Sequence, residues 1–539
     1  RAPTTRKAPV AANHERTTAT QKTKESKAVR GAPKPTVESI AVRGAPKESP
    51  TLRNHRAAVD AMKSLISSRK KSLVVGDKAR NELIDDGIAQ LIPAFEATTL
   101  VCVRWLLQLA EKGRTFPAWQ QLPPEALARP AAMCLWTGWG LPIAILSYPW
   151  AAKHHPDPEG FQLRRLRPAL HAIVQECNMK GGGTWGVAVD FMSLPQRGYS
   201  SGGGKGAPTD CDDRSASEKS FFQKGLKSLN LWYVSRKVYV LMLTASLPET
   251  AENRTEYNSR GWCHMESTLS SIVKDDLCLI DLGASSYLAL DTNYQLAFWE
   301  FHTLCRPVRR VPIAPERFKQ TMDQDLLDGK IKFTNKTDKK IVVDVYEAGF
   351  HNAMTQVREM AYANNQWDDD AIRQLAHCID VCKPSHDTTA RAPGLLNLTA
   401  LHLASNELTD EGVRAIVGAI SSKSQLPHLA VLDLSHNGVG DAAVEAIAAI
   451  APLLPGLREL DLTDTCITDQ AIYHLIDAGG AGGFSHLETL KLGGTIRGSI
   501  SPAGAEALAK AMMMGTVFPA LCTTRAFIEC PHYVHVEAR

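Results

Sequence analysis

A leucine pattern that recurs four times near the end of the chain constrains the fold more than any other feature. Each copy has the form Leu-x-x-Leu-x-Leu, followed three residues later by Asn or Thr. The copies begin at Leu398, Leu429, Leu457 and Leu487, so their starts are 31, 28 and 30 residues apart. A helical stretch that begins with Asp follows each of the first three copies. A period of this length predicts stacked strand–helix units, which bury a continuous core only when several stand side by side.

This pattern resembles the longer leucine-rich repeats, such as those of ribonuclease inhibitor, whose units each carry a full helix. The resemblance implies a short four-unit arc over residues 396–515, capped by the helical segment before it and the C-terminal tail, residues 516–539. Stacking places equivalent strand positions in ladders on the concave face of the arc. One predicted ladder comprises His402, Asp433, Asp461 and Lys491, and a second comprises Ala400, Val431, Glu459 and Thr489.

The first of these ladders is the predicted partner-binding surface. Leucine-rich repeats of this kind are binding modules, so the resemblance implies a protein partner. His402, Asp433, Asp461 and Lys491 mix charge signs, which argues against a nucleic-acid groove. We therefore expect a protein partner at these residues and no specific nucleic acid, and the oligomeric state stays open.

Upstream of the repeats, residues 131–299 alternate between short apolar runs and amphipathic stretches. Predicted strands cover 143–147, 187–191, 238–243 and 277–281, and predicted helices cover 159–178, 217–234 and 262–273. Such alternation predicts a flavodoxin-like parallel sheet with flanking helices, so the whole chain is expected to be α/β. Ligands of such sheets bind beyond the C-terminal ends of the strands, here residues 147–150, 190–196 and 244–248.

Two motifs in this α/β segment resemble those of Toll/interleukin-receptor (TIR) domains. Residues 145–148, Ile-Leu-Ser-Tyr, resemble the first-strand motif, and residues 262–266, Trp-Cys-His-Met-Glu, resemble the Trp-Cys-x-x-Glu helix start. The fungal heterokaryon-incompatibility domain shares this general layout. The resemblance implies either a scaffold or an enzyme that cleaves NAD at the nicotinamide–ribose bond.

In the enzyme reading, Glu266 is the catalytic carboxylate, and NAD is a substrate rather than a required cofactor. A carboxylate beside the ribose stabilises the oxocarbenium character that develops during glycosidic cleavage. Ser147, Tyr148 and Trp150 would line the nucleotide site. In the alternative reading, Trp262 and Cys263 only anchor the helix, and Glu266 is a first-turn carboxylate favoured by the helix dipole.

Three other patterns resemble binding sites but lack the residues or the spacing that such sites require. Residues 202–206, Gly-Gly-Gly-Lys-Gly, lack both the first Gly and the hydroxyl residue of a phosphate-binding loop, so they indicate a flexible loop. Cys378 and Cys382 indicate one buried helical turn, because no second pair with zinc-like spacing accompanies them. A third set lacks the fixed spacing of a calcium loop and is predicted to be solvated loop charge: Asp190, Asp210, Asp212 and Asp213. We expect no metal site.

Charge and composition indicate the structure of the remaining segments. Residues 1–53 hold twelve Lys/Arg against four Glu and lack an apolar period, which predicts a disordered basic tail. Residues 54–130 predict helices, and residues 300–395 predict a connector with helices and two strands, 330–335 and 340–345. Residues 131–152 carry no charge, but their Gly and Pro residues make them a poor membrane span.

The predicted function combines these parts. Twelve scattered cysteines without paired spacing favour reduced thiols and a cytoplasmic location. We expect an intracellular signalling or recognition protein, in which the repeats bind a partner and the TIR-like domain is a scaffold or effector. The alternatives are an NAD glycohydrolase that uses Glu266, and a structural subunit of a larger assembly.

Overall fold

The computed structural model describes most of the chain after residue 48. The described residues are 49–71, 90–129, 133, 140–199, 212–274, 276–291, 294–382, 395, 397–421, 426–493, 500–515, 517–521 and 527–529. The predicted basic tail up to residue 48, the Gly-rich run 202–206 and Asp210 lie outside them. Among the described residues, no helix combines the length and apolarity that a membrane span requires.

A five-stranded sheet forms the first half of the fold. Its strands are β1 Val101–Cys102, β2 Ile143–Ser147, β3 Gly186–Ala188, β4 Tyr239–Met242 and β5 Leu279–Asp281. The spatial order is β1-β3-β2-β4-β5, and only β1 at the edge is antiparallel. The four parallel strands thus follow the order second, first, third, fourth, which is the flavodoxin-like order that the sequence predicts.

Helices cover both faces of this sheet. The helices up to the end of the α/β half are α1 Pro50–Lys71, α2 Ile92–Ala97, α3 Val103–Glu111, α4 Phe161–Met179, α5 Asp190–Ser193, α6 Ala216–Val234, α7 Gly261–Val273, α8 Ser285–Leu288 and α9 Phe301–Leu304. Alternate strand residues point to opposite faces. Ala144 and Leu146 pack into the core beneath α3 and α4, whereas Ile143 and Ile145 pack into the core beneath α6 and α7.

The repeats form a second, six-stranded parallel sheet. Its strands are β6 Glu359–Ala361, β7 Ala400–His402, β8 Val431–Asp433, β9 Glu459–Asp461, β10 Thr489–Gly493 and β11 Phe527–Glu529, and they lie in chain order. The helices of this half are α10 Pro315–Leu327, α11 Asp338–Gln356, α12 Asp369–Val381, α13 Asp410–Ser421, α14 Asp441–Ile450, α15 Asp469–Gly480 and α16 Pro502–Met513. The strands β7 to β10 confirm the four predicted repeats. The predicted four-unit arc is too short, because one strand lies beyond it at each end.

The prediction for residues 330–345 is wrong. Residues 340–345 lie inside helix α11, and residues 330–335 contain only an isolated bridge from Lys332 to Arg260. The β-branched run at 341–343 favours a strand, but tertiary packing overrides that local preference. The buried residues of α11 recur at helical spacing: Val342, Val345, Tyr346, Gly349, Phe350, Ala353 and Met354.

Residues 357–367 form an additional repeat that the sequence reading missed. Helix α11 ends at Gln356, and β6 follows it. Val357, Met360, Tyr362, Asn365 and Trp367 occupy the positions of the repeat pattern. All five are nearly inaccessible to solvent. Only the Asn matches the consensus, and the next copy begins 41 residues later, so the pattern was not recognisable as a period.

The first repeat and the α/β half share one continuous hydrophobic core. Helix α11 packs on α6 and α7, and a Cβ at Gly349 would lie 2.9 Å from a methyl group of Leu269. The hydroxyl of Tyr362 donates a 2.6 Å hydrogen bond to the carbonyl of Ile272 at the end of α7. The α/β half therefore covers the apolar end of the repeat stack, as a capping unit does in repeat proteins.

Candidate functional site

The predicted ladder on the repeat sheet is present in the structure. Strand pairing places His402 opposite Asp433, Asp433 opposite Asp461, and Asp461 opposite Lys491. Residues two positions before these form the second ladder, from Ala400 to Thr489, and Glu359 of β6 extends it. The register follows from the leucines, because Leu401, Leu432, Leu460 and Leu490 all point into the core on the other face of the sheet.

Opposite charges in the ladder are paired. The imidazole Nδ1 of His402 lies 3.5 Å from a carboxylate oxygen of Asp433. The ammonium of Lys491 lies 2.7 Å from Glu459 and 3.1 Å from Asp461. The hydrogen bond to Asp433 raises the pKa of His402. The surface is thus half-exposed and polar, and neighbouring side chains hold one another in position.

Asparagines that follow strands β6, β7 and β8 bind the backbone beside this surface. Asn406 accepts hydrogen bonds from the backbone N–H groups of Asn365 and Trp367. Asn437 accepts in the same way from Asn406 and Leu408. These asparagines therefore bind backbone groups of the preceding repeat that strand pairing does not use. Where Thr465 replaces Asn, its hydroxyl donates one bond, to the carbonyl of Leu462.

A second side-chain series, which the sequence reading missed, links the helices of successive repeats. Asp369, Asp410, Asp441 and Asp469 each start a helix, and each carboxylate accepts a backbone N–H near the start of the next repeat's helix. For Asp441 the donors are the N–H groups of Thr468 and Ala471 and the Thr468 hydroxyl. The recurrence of Asp at each helix start is the sequence feature that could have predicted this series.

In the α/β half, the predicted catalytic residue Glu266 lies beside Ser147, a predicted nucleotide-site residue, at the C-terminal edge of the first sheet. The hydroxyl of Ser147, the last residue of β2, donates a 2.5 Å hydrogen bond to the carboxylate of Glu266 on α7. The Tyr257 hydroxyl lies 2.6 Å from that of Ser147. Tyr233 also hydrogen-bonds the Glu266 carboxylate. The first-strand motif and the helix motif therefore form one polar cluster.

The environment of Glu266 shifts its protonation equilibrium. Burial raises the pKa of Glu266 to about 7; the hydrogen bond from Ser147 opposes this shift, and the negative charge of Asp190 adds to it. A carboxyl group with a pKa near 7 exchanges its proton at neutral pH, as general acids and bases in active sites do.

Tyr148 and Trp150 contact a different carboxylate, Asp190. The Tyr148 hydroxyl and the Trp150 indole N–H donate bonds of 2.6 and 2.9 Å to its two oxygens. Tyr148 is 5% exposed, and the Trp150 ring packs edge-on against Phe191. The prediction that Asp190 is a solvated loop charge is therefore wrong. It begins the short helix α5, and burial raises its pKa.

The remaining predicted residues have structural partners. Cys263 is buried, and the Trp262 indole donates to Asp338 at the start of α11. Asp212 pairs with Arg214, and Asp213 accepts a bond from the backbone of Gly198. Within the described part of the chain, no three His, Cys, Asp or Glu side chains are grouped as metal ligands would be. Cys378 and Cys382 are buried.

Comparison with known proteins supports the repeats. A family model described as Leucine Rich repeat matches residues 395–417 and 425–448. This chain carries leucine-rich repeats. The Tonsoku-like protein of Mus musculus is 32% identical over 161 residues, and that of Bos taurus is 33% identical over 112 residues. These matches cover 29% and 21% of this chain.

The matches cover only a small part of the two relatives. The chain spans 10% of the length of the mouse protein and 7% of that of the bovine protein. The likeness therefore concerns a segment of those proteins. The matched repeat model lies entirely within the second half of this chain, so the resemblance of the α/β half to TIR domains rests on its motifs.

Proposed function

We propose that the leucine-rich repeats bind a protein partner through the ladder His402, Asp433, Asp461 and Lys491, and that the α/β half is the scaffold or effector to which recognition is coupled. The observation that carries this proposal is the unbroken register of these residues across four neighbouring strands. Parallel strands that stack in register present an extended and pre-organised surface.

Pre-organisation favours binding because less side-chain freedom is lost when a partner docks. His402 and Lys491 are already held by acidic neighbours, yet about a third of each side chain remains exposed, 29% and 37%. A partner can therefore contact these residues without a costly rearrangement. The surface mixes donors and acceptors, as the polar parts of protein interfaces do.

The test is affinity capture with the full chain, quantified by mass spectrometry. The test variant carries Asp433→Lys and Lys491→Glu, which leaves the net charge unchanged. The matched control carries Arg414→Glu and Glu445→Lys on exposed positions of α13 and α14. A protein retained by wild type and control, but lost by the ladder variant, supports the proposal. Equal retention by both variants contradicts it.

The second candidate function is cleavage of NAD at the nicotinamide–ribose bond by the Glu266 cluster. The specific observation in its favour is the 2.5 Å contact between Ser147 and Glu266 at the edge where parallel α/β sheets bind ligands. In this proposal the bonding electron pair leaves with nicotinamide, which becomes a neutral molecule, while the Glu266 carboxylate stabilises the developing positive charge on the ribose. Water then adds to the ribose carbon and loses a proton to solvent, which gives ADP-ribose. Ser147 and Tyr233 hold the carboxylate in position.

This candidate makes a specific pH prediction. Because the pKa of Glu266 is about 7, the reactive carboxylate becomes the major form only above that pH, so nicotinamide release should increase between about pH 6 and 8. Glu266→Gln should abolish the release without unfolding, and Ser147→Ala should shift the pH profile. If folded wild-type protein releases no nicotinamide at high protein concentration, the enzymatic candidate is contradicted and the scaffold role is the one that remains.

A further inference from the structure

The face of the first sheet that points away from the repeats carries an unusual set of cations. This face is covered by α3 and α4, which pack side by side on the core beneath them. The residues 103–114 and 159–180, which include both helices, hold seven Lys/Arg against three Glu. Outside residues 1–53, the rest of the chain is acidic on balance. We call six of these cations the basic face: Arg104, Lys112, Arg114, Arg164, Arg165 and Arg167.

In the described part of the chain, the members of the basic face form no ion pair with a carboxylate. Within the residues that the structure describes, none of the six lies within 4.0 Å of a carboxylate oxygen, whereas Lys180 beside them pairs with Glu176. Arg104 instead donates to the Asn178 side chain and the Gly183 carbonyl, and Arg164 donates to the Glu159 carbonyl. These neutral partners orient the guanidinium groups of Arg104 and Arg164 without forming an ion pair.

The cations are spread along the length of α4. Arg104 contacts the C-terminal end of α4, at Asn178, while the backbone of Arg114 lies beside Gly160 at its start. These ends are separated by 18 residues, about 27 Å along the helix axis. The axes of packed helices lie about 8–10 Å apart. The basic face is therefore suited to an extended anionic surface.

Exposed apolar side chains border the same helices. Met179, the last residue of α4, is 67% exposed, and Trp299 is 69% exposed on a turn, Phe298–Glu300, that packs against α4. Large exposed apolar residues beside basic ones are typical of surfaces that rest in the interfacial layer of a membrane. A nucleic-acid backbone would use the cations but offers little reason for an exposed Met.

We propose that the basic face docks peripherally on an anionic membrane, with lipid phosphates contacting the arginines and with Trp299 and Met179 entering the headgroup layer. The charges are complementary, and guanidinium groups bind phosphate oxygens in a bidentate manner. Docking in this way uses none of the residues of the concave ladder.

The test is co-sedimentation of the full chain with phosphatidylcholine vesicles that contain about 30% phosphatidylserine, compared with pure phosphatidylcholine vesicles. The variant carries Arg114→Glu and Arg164→Glu, both on exposed positions. The matched control carries Lys319→Glu and Lys336→Glu, which are exposed elsewhere on the molecule. The control is essential because residues 1–53 are also basic and can attract vesicles.

We expect wild type and control to bind the anionic vesicles, and the basic-face variant to bind at least tenfold more weakly, because each cation near such a surface contributes about fivefold. Binding should fall as salt is raised to about 0.5 M. Trp299→Ala should weaken vesicle binding less than the basic-face variant does. The part of the binding that this variant loses should not depend on salt, because it is apolar. A circular-dichroism melt verifies the fold, and Lys112→Gln with Arg114→Gln replaces the first variant if that one unfolds.

Three results would overturn the proposal. The first is equal vesicle binding by the basic-face variant and its control, which would assign the attraction to residues 1–53. The second is equal binding to vesicles with and without phosphatidylserine. The third is binding to duplex DNA, but not to vesicles, that the basic-face variant abolishes, since this would assign the surface to nucleic acid.

Discussion

The concave ladder of the repeats and the Glu266 cluster of the α/β half differ in how their carboxylates are stabilised. In the ladder, Lys491 and His402 lie between carboxylates, so opposite charges are paired on a half-exposed surface. In the cluster, the carboxylates of Glu266 and Asp190 are held by hydroxyl and indole donors, and neither forms an ion pair with a cation among the described residues. Paired charges make a stable surface for a partner, whereas burial raises the pKa of both carboxyl groups in the cluster and brings that of Glu266 to about 7.

Among the variants that test this comparison, we expect the largest loss of stability from one in the repeats. Asn437→Ala leaves the buried N–H groups of Asn406 and Leu408 without their acceptor and should lower the free energy of unfolding by about 4 kcal/mol, since each unsatisfied buried group costs about 1–3 kcal/mol. Urea denaturation measures the loss. The control Thr465→Ala removes one bond and should cost about 1 kcal/mol. Similar losses for the two variants would contradict the proposed role of the asparagines.

The next effect is a pH dependence of stability in the α/β half. The pKa of Glu266 is about 7 in the folded state and 4.5 when unfolded, so the folded state binds more protons in this range. Wild type should therefore lose about 3 kcal/mol of stability as the pH rises from below 4.5 to above 7. Glu266→Gln removes this contribution. Urea denaturation of both proteins at pH 5 and pH 8 should show a flatter dependence for the variant, and equal slopes would contradict the assigned environment.

A smaller effect is expected where successive repeat helices are joined. Asp441→Ala leaves the N–H groups of Thr468 and Ala471 without their acceptor, which should cost about 1–2 kcal/mol, as does the loss of a helix cap. Hydrogen exchange should report faster opening at the start of α15 than at the start of α13. Uniform destabilisation of both helices would show that this carboxylate does not act locally.

The smallest effect concerns the ladder itself. The pKa of His402 is raised by its bond to Asp433, so the pair stabilises the fold below the unfolded pKa of histidine, and this contribution is lost as the pH rises through the folded pKa. Because both side chains are partly exposed, the contribution should be below about 1 kcal/mol. Thermal melts of wild type and His402→Gln should converge at alkaline pH. A difference that grows with pH would contradict the pairing.

The regular part of the molecule was predictable from sequence, because a periodic pattern determines register. The leucines at 401, 432, 460 and 490 imply which residues share the concave face, and strand pairing agrees with that ladder. The repeat at Met360 was missed because Val, Met, Tyr and Trp fill its apolar positions. In α11, local β-branched residues pointed to a strand, while packing against α6 and α7 favoured a helix.

The irregular part was predictable only in outline. Ser147 and Glu266 were expected at one edge of the sheet, since the ends of parallel strands and the motif helix meet there. Asp190 could not be assigned from its neighbours in sequence, because its partners Tyr148 and Trp150 lie 40 or more residues away. The unpaired state of the basic face is likewise a tertiary property, since it depends on which carboxylates lie nearby.

Hydrogen exchange of the full chain, with and without a captured partner, tests the central claim most directly. Our account predicts that binding slows exchange at β7 to β10 and in the residues just after them, with little change in helices α13 to α15. Protection confined to those helices, or to α6 and α7 of the α/β half, would contradict the assignment of the concave ladder as the recognition surface.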